Sequence, residues 1–324
     1  MSTKTAPTHR HPEQESPGTE LVLPGLDGTN PLGFLAALGL FRTLEPGPSP
    51  SHWLMSWTQV GGTWVPVLTT ISGPALTPEG LLNLLANRLV KSIDAHPADL
   101  LRLLDERANN SHARRALLQD IATGDTASDT DWAAAVASNF APPESINQLQ
   151  TTRRDYFFGN LTSVIRLTEF SHLQRSLFQP WDYADALDNQ SLHLDPSEDR
   201  RHALQWNKPA GDPDRRTRGG MLGANRLALE AIPLFASFPE AGTLRTTGFS
   251  GTRSTNTRWT WPIWTRPLTL PTLKSVLALP ALQAQHLTSA DRANLHAQGI
   301  ITAYRTSRIL VGKTPNFTPA VCVC

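Results

Sequence analysis

The chain has 324 residues, 40% of them hydrophobic and 18% charged, with 26 prolines. That composition supplies a sizeable core, in two lobes, and argues for a loop-rich globular protein over a coiled coil or a helical bundle. The net charge is +1, and the two cysteines, Cys322 and Cys324, exclude a disulfide scaffold and point to a reducing cytoplasm.

Residues 1–20 are polar, contain three prolines and read as a disordered tail. A turn-rich leader from Leu23 follows, in which Asp27 and Asn30 order the turn. Asn30 then caps a helix, with Pro31 at its first position, where no N–H is needed. From Leu32 to Phe41 this helix carries no charge and many small residues, Gly33, Ala36, Ala37 and Gly39, so it should be buried on most sides. At about 11 residues it is too short to span a bilayer, and no segment reaches the ~18 apolar residues a span needs.

Residues 53–70 read as two strands joined at Gly61-Gly62. Thr77-Pro78-Glu79 starts a leucine-rich helix, a second begins at Pro97, and His112–Ile121 continues the helical region. A polar loop covers 122–131, an Ala-rich turn follows at Trp132–Ala137, and 142–147 is a connection. The expected organisation is therefore a tail (1–20), an N-terminal α+β lobe with a helical segment (21–145) and a C-terminal α+β lobe (146–324).

In the second lobe, the spacing of Leu161, Ile165, Phe170, Leu173 and Leu177 predicts one helix over 161–178. Residues 189–219 form a long polar loop, a length that is usually functional or disordered. Met221–Ala231 reads as a helix. Leu244–Phe249 and Trp259–Trp264 read as strands, the second broken or at an edge because of Pro262 and Pro267. A short helix after Pro271, another over 290–298 and a strand pair, Ile300–Tyr304 with Ser307–Val311, complete an α+β fold: a small N-terminal sheet on a buried helix, a helical middle and a mixed C-terminal lobe with short strands.

The search for catalytic motifs is mostly negative. Gly312-Lys313-Thr314 resembles the end of a phosphate-binding loop, but Ser307 stands where the preceding glycine belongs. His193, Asp195, Glu198, Asp199 and His202 crowd one loop; they suit a divalent ion, as in a metal-dependent nuclease, or are carboxylates balancing nearby arginines. Cys322 and Cys324 make half a metal site.

The stronger signal is charge. Between Arg200 and Arg266 ten arginines and one lysine face four carboxylates, whereas the whole chain is almost neutral. Arg215, Arg216 and Arg218 precede Gly219-Gly220, with Asn225 and Arg226 on the following helix, a glycine-rich helix start suited to phosphate. Arg253, Asn256 and Arg258 stand beside Trp259, Trp261 and Trp264. Arginines among aromatic rings suit nucleic acid, charge for the backbone and rings for bases; the competing reading places the tryptophans in the core. A tryptophan-rich segment that docks a partner, making the chain a protein–protein adaptor, is a further alternative.

Four stretches carry a family resemblance: Leu23–Arg42, Asp199–Trp206 with Gly223–Phe235, Trp259–Leu268 and Gly299–Arg308. Together they resemble CRISPR-associated subunits of type I systems, notably subtype I-G (formerly I-U), either a large-subunit-like protein or one associated with the helicase–nuclease. The resemblance implies a cytoplasmic subunit of an RNA-guided complex with no catalytic centre, cofactor or metal. Its partners would be the other effector subunits, guide RNA, target DNA and the helicase–nuclease. It implies no membrane association.

Overall fold

The computed structural model describes residues 20–45, 52–71, 76–91, 97–107, 109–124, 127–139, 147–151, 154–186, 190–196, 219–240, 243–251, 256–311 and 314–324. The fold is α+β, as the sequence predicts. A three-stranded antiparallel sheet contains β1 (Glu20–Val22), β2 (Trp53–Val60) and β3 (Thr63–Thr70) in the order β1-β3-β2. Gly61 and Gly62 make the hairpin turn with φ of 59° and 86°, a conformation that glycine adopts without strain.

Between β1 and β2 runs α1 (Pro31–Leu44). The Asn30 side chain accepts from the Leu32 N–H at 2.8 Å and the Gly33 N–H at 3.4 Å, so the cap read from the sequence is formed. Asp27 accepts from both the N–H and the hydroxyl of Thr29 and so orders the preceding turn. Twelve of the fourteen residues of α1 are buried.

The helical middle comprises α2 (Pro78–Leu89), α3 (Ala98–Arg107), α4 (Ser111–Thr123), α5 (Ala127–Val136), α6 (Arg154–Leu167) and α7 (Phe170–Phe178). Part of the expected 122–131 loop is thus the first turn of α5. The single helix expected over 161–178 is two helices. The break has a local cause: Glu169 and His172 form a reciprocal capping box, the Glu169 N–H donating to His172 Nδ1 at 2.9 Å, which starts a new helix.

After Gly220, α8 (Leu222–Ala231) is buried along its whole length. It packs on α1, and the smallness of Gly39 allows this: a Cβ there would lie 2.8 Å from the Leu227 carbonyl carbon and 2.9 Å from the Ala231 nitrogen. The contact crosses the boundary expected near residue 145, and the same hydrophobic core runs through both halves of the chain.

β4 (Ser237–Glu240) and β5 (Thr243–Thr246) form a separate pair. β6 (Phe249–Ser250), β7 (Arg258–Trp264), β8 (Ile300–Val311), β9 (Thr314–Phe317) and β10 (Val321–Cys322) build the C-terminal sheet. Two helices, α9 (Leu270–Leu277) and α10 (Ser289–Ala297), lie between β7 and β8 and are capped by Thr269 and Thr288.

β7 is internal for its first two residues and open on one side beyond them. β6 pairs only with Arg258 and Trp259, while β8 follows the strand to its end. The Thr260 N–H donates to Gly248 toward the β6 side, so Pro262, two residues on, faces the side where no donor is required. The two strands expected over 300–311 are one continuous β8.

Trp259, Trp261 and Trp264 are core residues, at most 1% exposed. Trp261 Nε1 donates to Gly28 O and Trp264 Nε1 to Met55 O, each at 2.8 Å, and Trp57 stacks on Phe34 with ring centroids 5.7 Å apart. At ~25 cal/mol per Å2 and roughly 200 Å2 per ring, each such tryptophan contributes about 5 kcal/mol of apolar burial to the junction between the two sheets. Their indoles are therefore not a platform for bases. Among the described residues no helix is long and apolar enough to cross a membrane.

Candidate nucleic-acid interface

The start of α8 does not offer the open anion site its sequence suggests. The Leu222 N–H donates to Asp185 Oδ2 at 2.7 Å, so a carboxylate from 37 positions upstream already occupies the positive end of the helix. Asp185 Oδ1 takes Arg175 Nη2 at 2.7 Å, with His172 Nε2 3.6 Å away. An arriving phosphate would meet that negative charge.

Asn225 and Arg226 are enclosed as well, and this corrects their expected role in phosphate contact. Asn225 is fully buried; its Oδ1 accepts from the Leu192 N–H at 2.7 Å and its Nδ2 donates to Met221 O at 3.0 Å. Arg226 is 2% exposed and bonds Glu230 at 2.6 Å. Glu230 also takes Arg42 of α1 at 3.0 Å, making an Arg–Glu–Arg link between the two helices. The physical reason is that α8 has no solvent face, so polar side chains on it find internal partners.

Backbone bonds join Asp185 to Gly220 in both directions, at 3.1 and 2.6 Å, and Gly219 N–H donates to Tyr183 O at 2.7 Å. Residues 183–185 and 219–220 thus run side by side, and Leu192, Leu194 and Asp195, which lie between them in sequence, are buried. Arg215, Arg216, Arg218 and Arg253 lie outside the described residues, as do Glu198, Asp199 and His202 of the candidate metal loop. Of that loop, Asp195 is buried and accepts from the Tyr183 hydroxyl at 3.0 Å. His193 sits at φ 54°, a left-handed conformation uncommon for a residue with a side chain. Among the described residues no cluster of three or more His, Cys, Asp and Glu is placed to hold a metal ion.

Asn256 and Arg258 lie at the start of β7, Asn256 exposed and Arg258 partly so. Arg258 shares its sheet face with Arg305 on β8, since Thr260 is paired directly with Arg305. Arg258 Nη1 and Arg305 Nη1 donate to the same atom, the carbonyl oxygen of Gln285, at 2.9 and 2.8 Å. Arg305 is also held by Thr260 Oγ1 and Ala284 O, each at 2.8 Å. Burial, and after it the nearby charge of Arg258, push the Arg305 guanidinium below the usual arginine range.

Near the same end of the sheet, Arg308 donates its main-chain N–H to Thr257 O and its guanidinium to Gln150 O. Burial pushes Arg308 down to about 10. Arg42, Arg102, Arg175, Arg226 and Arg245 all pair with carboxylates. Arg258, Arg305 and Arg308 form no ion pair among the described residues, nor do Arg88 and Arg292, which bond the carbonyls of Thr43 and Val323. Sequence reasoning found Arg258 and missed Arg305, Arg308 and Gln285. The available signal for the pair was Arg305, an arginine within the β-branched stretch 300–311, which holds no carboxylate.

No family model matches this chain, and no curated protein matches it.

Proposed function

We propose that the chain is a non-catalytic nucleic-acid-binding subunit of a type I CRISPR RNA-guided complex, contacting the backbone of guide RNA or target DNA and helping to recruit the helicase–nuclease in antiviral defence. The observation that carries the nucleic-acid part is the pair Arg258 and Arg305, whose guanidinium groups share one carbonyl oxygen on one face of the C-terminal sheet, without carboxylate partners among the described residues. Unneutralised guanidinium groups favour a phosphate ligand over a neutral one. The CRISPR assignment is supported by the four sequence stretches named above. The low cysteine content fits a cytoplasmic setting.

In this reading Arg258 and Asn256 contact phosphate directly, and Arg215, Arg216, Arg218 and Arg253 extend the contact along the strand. The test is oligonucleotide binding by the full chain across a salt series. Each lost phosphate contact lowers the slope of log K against log salt by about 0.9 on duplex DNA, or about 0.7 on single strands. Arg258→Ala should lower the slope by one such step, and the combined Arg215→Ala, Arg216→Ala, Arg218→Ala variant by up to three. Unchanged affinity and slope in both variants would remove the nucleic-acid reading. Recovery of CRISPR subunits and a guide RNA of uniform length with the tagged chain tests the complex itself; recovery of neither removes that assignment.

A further inference from the structure

Arg258 and Arg305 place two positive charges side by side on the outer face of the C-terminal sheet. Two guanidinium groups converge on one neutral oxygen, Gln285 O. Their Nη1 atoms are held within ~6 Å of each other, a distance at which like charges disfavour one another. No carboxylate lies within ion-pair distance of either among the described residues. The two cations are also unequal. Arg305 is 8% exposed and bonded at all three nitrogens, so it is a fixed charge. Arg258 makes a single bond, at its Nη1, and is partly exposed, so it has donors to offer and freedom to turn.

The rim around the pair is also rich in donors. Asn256, Gln285 and His286 are exposed, and the Gln285 side-chain amide lies beside Gly251, where a Cβ would come within 3.0 Å of Nε2. A tetrahedral oxyanion offers enough acceptors to use such a rim, and its charge offsets the repulsion between the arginines.

We infer that Arg258, backed by Arg305, forms a discrete seat for a single phosphate group. The phosphate takes the exposed donors of Arg258, which turns from Gln285 O toward the ligand, while Arg305 keeps that carbonyl in place and supplies a second positive charge. Arg258 is the contacting residue and Arg305 the positioning one. The assignment of this phosphate to a nucleic-acid backbone rests on the function proposed above; the seat itself rests on the geometry.

The experiment is thermal unfolding of the full chain with inorganic phosphate, against chloride at matched ionic strength, beside oligonucleotide binding. Phosphate should raise the Tm of the unmodified chain. Arg258→Ala should weaken phosphate binding by about tenfold or more, as expected for the loss of a charge-assisted bond, and Arg258→Lys should retain part of it. Arg102→Ala, at an exposed arginine of α3 that bonds Glu106, should respond like the unmodified chain. An equal phosphate response in Arg258→Ala, or its loss in Arg102→Ala, would overturn the seat. A phosphate response that depends on Arg258, with no oligonucleotide binding, supports the seat and removes the nucleic-acid reading. Arg258-dependent oligonucleotide binding with no response to phosphate overturns the seat and leaves that reading standing.

Discussion

Replacing Gly39 by alanine tests the contact on which the fold depends most directly, the crossing of α1 and α8. The added Cβ would lie 2.8 Å from the Leu227 carbonyl carbon and 2.9 Å from the Ala231 nitrogen, and nearer still to Leu227 O. These are main-chain atoms of a fully buried helix and cannot rotate aside, so the two helices must part. Overpacking costs typically ~1–3 kcal/mol and sometimes more, and a clash with several backbone atoms belongs just above that usual range, about 4 kcal/mol. Alanine regains about 1 kcal/mol of helix propensity over glycine, leaving a net loss of about 3 kcal/mol. At ~2–4 °C per kcal/mol the Tm should fall by about 6–12 °C. Gly159, exposed on α6 with nothing within 4 Å of its would-be Cβ, is the internal control. Gly159→Ala should stabilise by up to about 1 kcal/mol from propensity alone. Urea unfolding followed by the fluorescence of the buried tryptophans reads both. If Gly39→Ala is as stable as the unmodified chain, or moves with Gly159→Ala, α1 and α8 do not cross at this residue.

Asp185→Ala should cost about 2–3 kcal/mol in urea unfolding, because it removes the acceptor for the Leu222 N–H and leaves Arg175 short of a partner; a change below about 0.5 kcal/mol would refute the remote cap. Arg308→Met should be neutral or stabilising at pH 7, since burial holds its guanidinium at about 10, well below the usual arginine range, at a cost of about 3 kcal/mol. A loss above 2 kcal/mol would show that its charge is compensated. By the same linkage, the folded state binds fewer protons than the unfolded one from about pH 10 up to the usual arginine range, so the Arg308 penalty is constant at neutral pH and shrinks with rising alkalinity. Tyr304 acts in the opposite sense: burial raises its pKa from 10.0, so its contribution is present below that pH and is lost as the pH climbs through the folded value. Tyr304→Phe should therefore flatten the alkaline fall in stability, measured as Tm against pH.

What the sequence made legible was local. Asn30, Pro31 and the apolar run behind them define α1 within a few positions, and Gly61-Gly62 defines the hairpin, because cap and turn chemistry act over two to four residues. The break between α6 and α7 was also local, but its signal lies in a Glu169–His172 reciprocity that apolar spacing passes over. The site was harder to read for a different reason. Asn225 and Arg226 carry the residue types of a phosphate contact, and only the packing of α1 and α7 around α8 shows that they face inward. Asp185 caps a helix 37 residues away, a pairing that exists only in three dimensions. The Arg258–Arg305 pair needs the register of β7 against β8, and reading residues 300–311 as two strands hid it.

The two groups of arginine differ in what happens when the ligand is removed. Around α8 the described cations Arg42, Arg226 and Arg175 are answered inside the protein: Glu230 lies between Arg42 and Arg226, and Asp185 holds Arg175 while capping the helix. Such a cluster is complete, and adding an anion to it would add repulsion. Arg258 and Arg305 share a carbonyl, which satisfies hydrogen bonding and leaves the charge. Hydrogen-bond geometry alone therefore ranks the two groups as equals, and charge balance separates them. A basic composition locates neither, because the same arginine-rich stretch of sequence contributes Arg226 to the closed cluster and Arg258 to the open one.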